Sequence, residues 1–207
     1  MSKTDLDQRY INKSILRGTV IRKIRKDDKW VLITLVTHSN PMLGSRRDYP
    51  TVFFYGNEIE LADKFNVGDH VTIEAMITTS RTHHTETVYG TNISETSKEE
   101  DKELGISNVG RFLPDKNEAC VKGEIVHIFD TKNAKTNLII VTVKTVINGV
   151  IAFPQIACFG RQYDVIKDLQ DGDCVCILAH VQTDTEYKNG QRIRHQSLVA
   201  HFVEKIQ

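Results

Sequence analysis

The side chains of this chain best placed to do chemistry are aromatic and basic, and the chemistry they suit is non-covalent. Side chains of an extended strand alternate between two faces. Tyr49, Thr51, Phe53 and Tyr55 therefore share one face, and Val52 and Phe54 share the other. The apolar pair suits a core, which leaves the rings of Tyr49, Phe53 and Tyr55 outside. Trp30 opens another extended run with the parity of Leu32 and Thr34, opposite Ile33 and Leu35, and joins the same surface. Phe153 and Phe159 repeat the Tyr49 and Tyr55 spacing later in the chain, with Ile156 and Cys158 turned inward. An exposed ring offers a π-face to any flat partner, and a guanidinium or ammonium beside it can neutralise a phosphate. The basic candidates are Arg17, then Arg22, Lys23 and Arg25 in the run that ends at Lys26, Arg46 and Arg47 just before Tyr49, and Arg81. Tyr187, Lys188, Arg192 and Arg194 gather around a turn at Asn189-Gly190. A single strand aromatic is more often structural than ligand-binding. Recurrence of the pair is what singles out Tyr49, Tyr55, Phe153 and Phe159.

Covalent chemistry has no comparable support. The sequence holds no G-x-x-x-x-G-K-[ST] loop, no G-x-S-x-G elbow and no H-E-x-x-H pair. Asp168, Asp171 and Asp173 crowd a turn and suit turn formation better than metal binding. His83 and His84 are adjacent, so on a strand or hairpin they point opposite ways. Cys120, Cys158, Cys174 and Cys176 form no C-x-x-C pair and sit in apolar runs, the pattern of buried reduced thiols. The expectation is a binding protein, not an enzyme, with no metal and no cofactor.

Composition narrows the class further. The chain has 207 residues, 40% of them hydrophobic, enough for one large core or two small ones. Its 27 basic residues balance 27 acidic ones, which excludes a polybasic binder working by bulk charge and leaves room for a local basic groove. No run approaches the ~18 consecutive apolar residues of a membrane helix, and Met1 to Asp7 has no apolar leader core. A soluble, cytoplasmic protein is expected.

The elements that must position these residues are strands. Ser14 to Ile21, Trp30 to Thr37, Thr51 to Tyr55 and His70 to Ile77 are rich in β-branched and aromatic residues and bounded by turn formers. One helix is predicted between the third and fourth, over Asn57 to Phe65, where Ile59, Leu61, Ala62 and Phe65 recur at helical spacing before Gly68. The order then repeats: Val121 to Val126, Leu138 to Val143, Gln155 to Phe159, a helix over Gln162 to Leu169, and Cys174 to Val181. Two landmarks recur at equal separation, Tyr49-Pro50 through Tyr55-Gly56 with Phe153-Pro154 through Phe159-Gly160, and Gly68-Asp69 with Gly172-Asp173. Both together indicate a tandem duplication. Three strands, a helix and two strands is the OB-fold order. The predicted class is all-β, two tandem five-stranded OB-fold barrels over residues 12–94 and 118–207, joined by an acidic, polar linker over 95–117.

Asn12-Lys13-Ser14-Ile15-Leu16-Arg17-Gly18 resembles the N-K-x-x-L-x-G opening strand of bacterial and phage single-stranded DNA-binding proteins. Ile33 to Thr37 and Val52 to Gly56 are similar to their second and third strands. Gly68-Asp69-His70-Val71-Thr72-Ile73-Glu74 is similar to their G-x-x-V-x-I/V-E-G segment, with Ala75 in place of the last glycine. The resemblance covers most of residues 12–93; the second copy is placed by its similarity to the first. It implies sequence-independent binding that coats and protects single-stranded DNA in replication, recombination or repair, with bases stacked on outward rings and phosphates met by lysine and arginine. It also implies a homodimer presenting four OB-folds. Cellular members end in an acidic tip that recruits replication proteins. Ala200 to Gln207 resembles a final strand instead, so such recruitment is expected to be absent or moved to the acidic linker around Glu99 to Glu103, and a phage or plasmid origin fits better. Two other readings stay open: a replication accessory whose OB modules bind protein, with one or both domains not binding DNA, and a single-stranded RNA binder.

Overall fold

Alternating apolar and polar residues become alternating inward and outward side chains, and most of the described residues fold as sheet. The computed structural model describes residues 9–38, 47–79, 86–96, 115–132, 136–188 and 190–206, apart from the side chains of Lys188, Gln191 and Arg192. Arg46, Arg81, His83, His84 and most of the predicted linker lie outside the described residues, as do the side chains of the candidates Lys188 and Arg192. The first copy holds β1 (Ile11–Lys26), β2 (Trp30–His38), β3 (Arg47–Asp48), β4 (Thr51–Phe54), α1 (Glu58–Asp63), β5 (His70–Thr79) and β6 (Glu86–Glu95). The second holds β7 (Lys116–Asp130), β8 (Leu138–Ile147), β9 (Val150–Ala152), β10 (Gln155–Phe159), α2 (Arg161–Ile166), β11 (Cys174–Lys188) and β12 (Gln191–Ile206).

Each copy is a closed five-stranded barrel. In the first, hydrogen bonding runs β2-β4-β6-β5-β1 and closes through β1–β2, with β3 pairing the end of β2 at Thr37 and His38. In the second it runs β8-β10-β12-β11-β7 and closes through β7–β8, with β9 on β8. Closure removes the unpaired edges that an open sheet would present. One pairing in each barrel is parallel, β4 with β6 and β10 with β12. These are OB-folds, with a short helix between the third and fourth barrel strands.

Inward positions are filled as the alternation demands. Leu16, Val20, Val31, Ile33, Leu35, Val52, Phe54, Val71, Ile73 and Val88 are buried in the first barrel. Val121, Ile125, Ile139, Val141, Val143, Ile156, Cys158, Val175, Ile177 and Leu198 take that role in the second. The helices seal the barrels with residues on one face: Ile59 and Ala62, three apart on α1, and Ile166 on α2, are buried.

The duplication extends to individual hydrogen bonds. Val20 N–H donates to the Asp69 carbonyl at 2.8 Å, and Ile125 N–H donates to that of Asp173 at 2.8 Å. Gly68 N–H bonds Val20 at 2.9 Å as Gly172 N–H bonds Ile125 at 2.8 Å, and both glycines hold the left-handed region at φ of 100° and 95°. Leu35 N–H reaches Pro50 as Val143 N–H reaches Pro154, each at 3.0 Å. A Cβ at Gly18 would lie 2.2 Å from the Val36 carbonyl oxygen, and one at Gly123 would lie 2.2 Å from that of Lys144. Only glycine fits where the bulged first strand of each barrel crosses the second.

The described residues form two compact units, one drawn from Ile15–Met76 and Val88–Asn117 and the other from Met1–Ser14, Ile77–Thr87 and Glu118–Gln207. In the first, the His38 N–H donates to Asp115 at 2.9 Å and Asn117 donates to the Thr37 hydroxyl at 3.4 Å. In the second, Asn12 Nδ2 donates to the Ile77 carbonyl at 2.6 Å and to the Thr145 hydroxyl at 3.1 Å. The cysteines depart from expectation: only Cys158 is buried, and Cys120, Cys174 and Cys176 are half-buried. Val175 and Ile177 take the inward parity of β11, so Cys174 and Cys176 must face out. No described helix is long and apolar enough to cross a membrane.

Candidate nucleic-acid interface

Register on the first barrel brings four rings together. Strand β2 pairs antiparallel with β4, Val31 opposite Phe54 and Leu32 opposite Phe53. Strand β4 pairs in parallel with β6, Val52 beside Val88 and Phe53 beside Tyr89. With Val31, Val52, Phe54 and Val88 fully buried, the alternate residues Trp30, Phe53, Tyr55 and Tyr89 must face outward. Their centroids form an unbroken row: Trp30 to Phe53 at 5.9 Å edge-on, Phe53 to Tyr55 at 6.2 Å stacked, and Tyr55 to Tyr89 at 5.6 Å tilted. Tyr55 is 41% exposed, while the other three are half-buried.

Ring spacing decides what the row can hold. A flat molecule inserted between two rings needs a contact of about 3.5 Å on each side, about 7 Å in all. The observed separations are smaller, so the rings pack on one another and offer their outer faces and edges as a continuous platform. Partial burial, with the Tyr89 phenol nearby, pushes the Tyr55 phenol above its ordinary range and keeps it uncharged beside any phosphate.

Cations divide into engaged and available. Lys23 donates to the Asp63 backbone carbonyl at 2.6 Å and its ammonium lies 3.0 Å from the Asp63 carboxylate. Arg25 pairs with the same carboxylate and with Asp28 at 3.1 Å. The Lys23 hydrogen bond holds the Asp63 carboxyl below its usual range, with Arg25 adding to the effect. These two side chains therefore clamp the end of α1. Arg17 donates to the Thr72 hydroxyl at 3.1 Å, toward β5 and away from the strands that carry the row. Arg22 and Arg47 are exposed. Lys26 stands opposite Trp30 in the β1–β2 ladder with its ammonium 6.0 Å from the ring centroid, beside the platform.

The second barrel places its candidates differently. Phe159 ends β10 at 40% exposure, and Phe153 is half-buried just before that strand, as Tyr49 is before β4. Strands β11 and β12 continue as a two-stranded ribbon, Gln182 to Lys188 against Gln191 to Ser197, beyond the last β7 partner at Ala179. Tyr187 stands 73% exposed on that ribbon and Arg194 is exposed opposite Thr185. Among the described residues no group of three or more His, Cys, Asp or Glu is placed to hold a metal ion.

Tyr89 is the one ring of the row that sequence reasoning missed. Its parity against Val88 was visible, but its place beside Phe53 depends on a parallel pairing between strands far apart in the chain.

The single-stranded DNA-binding protein of Thermus aquaticus matches with a TM-score of 0.61 and 13% identity, over 96% of this chain and 94% of that one. A deletion variant of that Thermus protein gives a TM-score of 0.61 and 12% identity, over 97% and 96%. The chain shares their fold. The match spans nearly the full length of both chains. No protein-family model and no curated protein matches the chain.

Proposed function

We propose that this chain is a sequence-independent single-stranded DNA-binding protein that coats unpaired strands in replication or recombination. The observation that carries the reading is the row Trp30, Phe53, Tyr55 and Tyr89 on the outer face of a closed barrel. Unpaired bases expose π-faces that duplex bases bury, and each base stacked on an aromatic side chain contributes ~1–3 kcal/mol whatever its identity. Lys26 beside the row, with Arg22, Arg47 and the Tyr187 ribbon, supplies charge and surface for the backbone. The fold shared with the Thermus single-stranded DNA-binding protein supports the same reading. Two OB domains, over 12–94 and 118–207 with a linker over 95–117, fit a homodimer presenting four barrels.

Trp30 is the only tryptophan and sits within the row, so intrinsic fluorescence reports directly on the platform. Titration with oligo-dT of increasing length is expected to quench it at micromolar affinity or tighter. Affinity should rise until the site is filled and fall with salt. Absence of quenching, and of binding to a labelled oligonucleotide, removes the proposal. Competition by a matched RNA measures the preference between sugars.

A further inference from the structure

The two barrels repeat several backbone hydrogen bonds, yet their outward faces do not agree. Register gives each ring of the row a counterpart. Phe159 pairs with Leu138 in the second barrel, the place Trp30 takes opposite Tyr55, one step past the Val31–Phe54 pair. Ala157 lies beside Val199 in the parallel β10–β12 pairing, where Phe53 lies beside Tyr89. Of the four positions, only that of Tyr55 keeps a ring, as Phe159. Leu138, Ala157 and Val199 are half-buried aliphatic residues that offer no π-face.

Inward, Cys158 stands where the first barrel has the Phe54 ring, yet the position stays buried. Inward residues at the same strands remain apolar and buried, Ile139 and Ile156 answering Val31 and Val52. Folding therefore does not demand aromatics at Trp30, Phe53 and Tyr89, since the second barrel closes in the same way without them. Three large rings half in solvent where their counterparts are aliphatic point to a demand made by a ligand.

We propose that base stacking is concentrated on the first barrel, and that the second meets the strand through Phe159 and the Tyr187 ribbon without a stacked row. This rests on the single-stranded DNA reading above and adds a division of labour to it. A strand too short to engage both barrels would then bind the first.

The test measures binding of an end-labelled oligo-dT of about ten nucleotides to the full chain by fluorescence anisotropy, within the range one OB-fold covers. Tyr55→Ala and Tyr89→Ala are each expected to weaken binding about tenfold or more, and Phe159→Ala by no more than about threefold. A reciprocal variant, Ala157→Phe with Val199→Tyr, rebuilds part of the row on the second barrel. It should tighten binding of an oligonucleotide twice as long by severalfold. Thermal melts identify variants that fold. If wild type binds but Phe159→Ala costs as much as Tyr55→Ala, or the rebuilt row changes nothing in a folded variant, the division of labour is overturned while DNA binding stands. If wild type does not bind, both readings fall.

Discussion

A Cβ added to Gly90 would lie 2.1 Å from the edge of the Phe54 ring, so the fully buried phenylalanine fills the space that glycine leaves on the neighbouring strand. In the second barrel Cys158 and Ala200 occupy the corresponding places, a smaller side chain inward and a larger one beside it. The two cores thus solve one packing problem with volume moved between two strands. Gly90→Ala alone should destabilise the protein by ~1–3 kcal/mol through overpacking. Phe54→Cys alone should cost more, by opening a cavity. The double variant should cost less than the two together, since each relieves the other. Denaturant unfolding of the four proteins measures this, and additivity to within ~0.5 kcal/mol would mean the two sites do not share space.

Glu86 provides a pH dependence with a defined sign. The residue is 6% exposed, its carboxyl accepts from the Thr79 hydroxyl at 2.7 Å and from the Gln155 N–H at 3.3 Å, and its Oε2 has no partner among the described residues. Burial pushes it up from 4.5 to about 7. The unfolded chain releases this proton near 4.5 and the folded chain near 7. Stability is therefore full below the lower value and declines as pH rises to the upper one, by about 3 kcal/mol in all. Glu86→Gln should remove most of that decline, giving a protein that melts higher than wild type at pH 8. Parallel melting curves for the two proteins from pH 5 to 8 would refute the assignment.

The cations separate by the same logic. Lys26 lies over the Trp30 ring, whereas Lys23 is held by Asp63. Lys26→Ala should lower the slope of log affinity against log salt by ~0.7, the value of one phosphate contact on a single strand. Lys23→Ala should instead appear in the melting temperature, as loss of a pair contributing no more than ~1 kcal/mol. Equal changes in slope for the two would show that Lys23 leaves Asp63 when DNA binds.

Much of the architecture was legible because strand alternation is a local property with a period of two. Val52 and Phe54 point in, and Phe53 and Tyr55 out, wherever that strand lies in the sheet. The glycines at 68 and 172 and the prolines at 50 and 154 fixed the repeat because each meets a backbone requirement that the fold makes twice. Element ends were less legible. Strands β1 and β7 run well past their predicted limits, since a bulge lets one strand pass from one ladder to the next without a turn residue to mark the place.

Residue order alone therefore determined the all-β class, the duplication, the inward set and the parity of the candidate rings. Tertiary structure decided which rings touch and which cations are already occupied. Tyr89 meets Phe53 only because β4 and β6 pair in parallel, and Lys23 and Arg25 are drawn to Asp63 only because α1 ends beside β1. Such neighbours come from strands distant in the chain, and the register between them is set by closure of the whole barrel rather than by any segment.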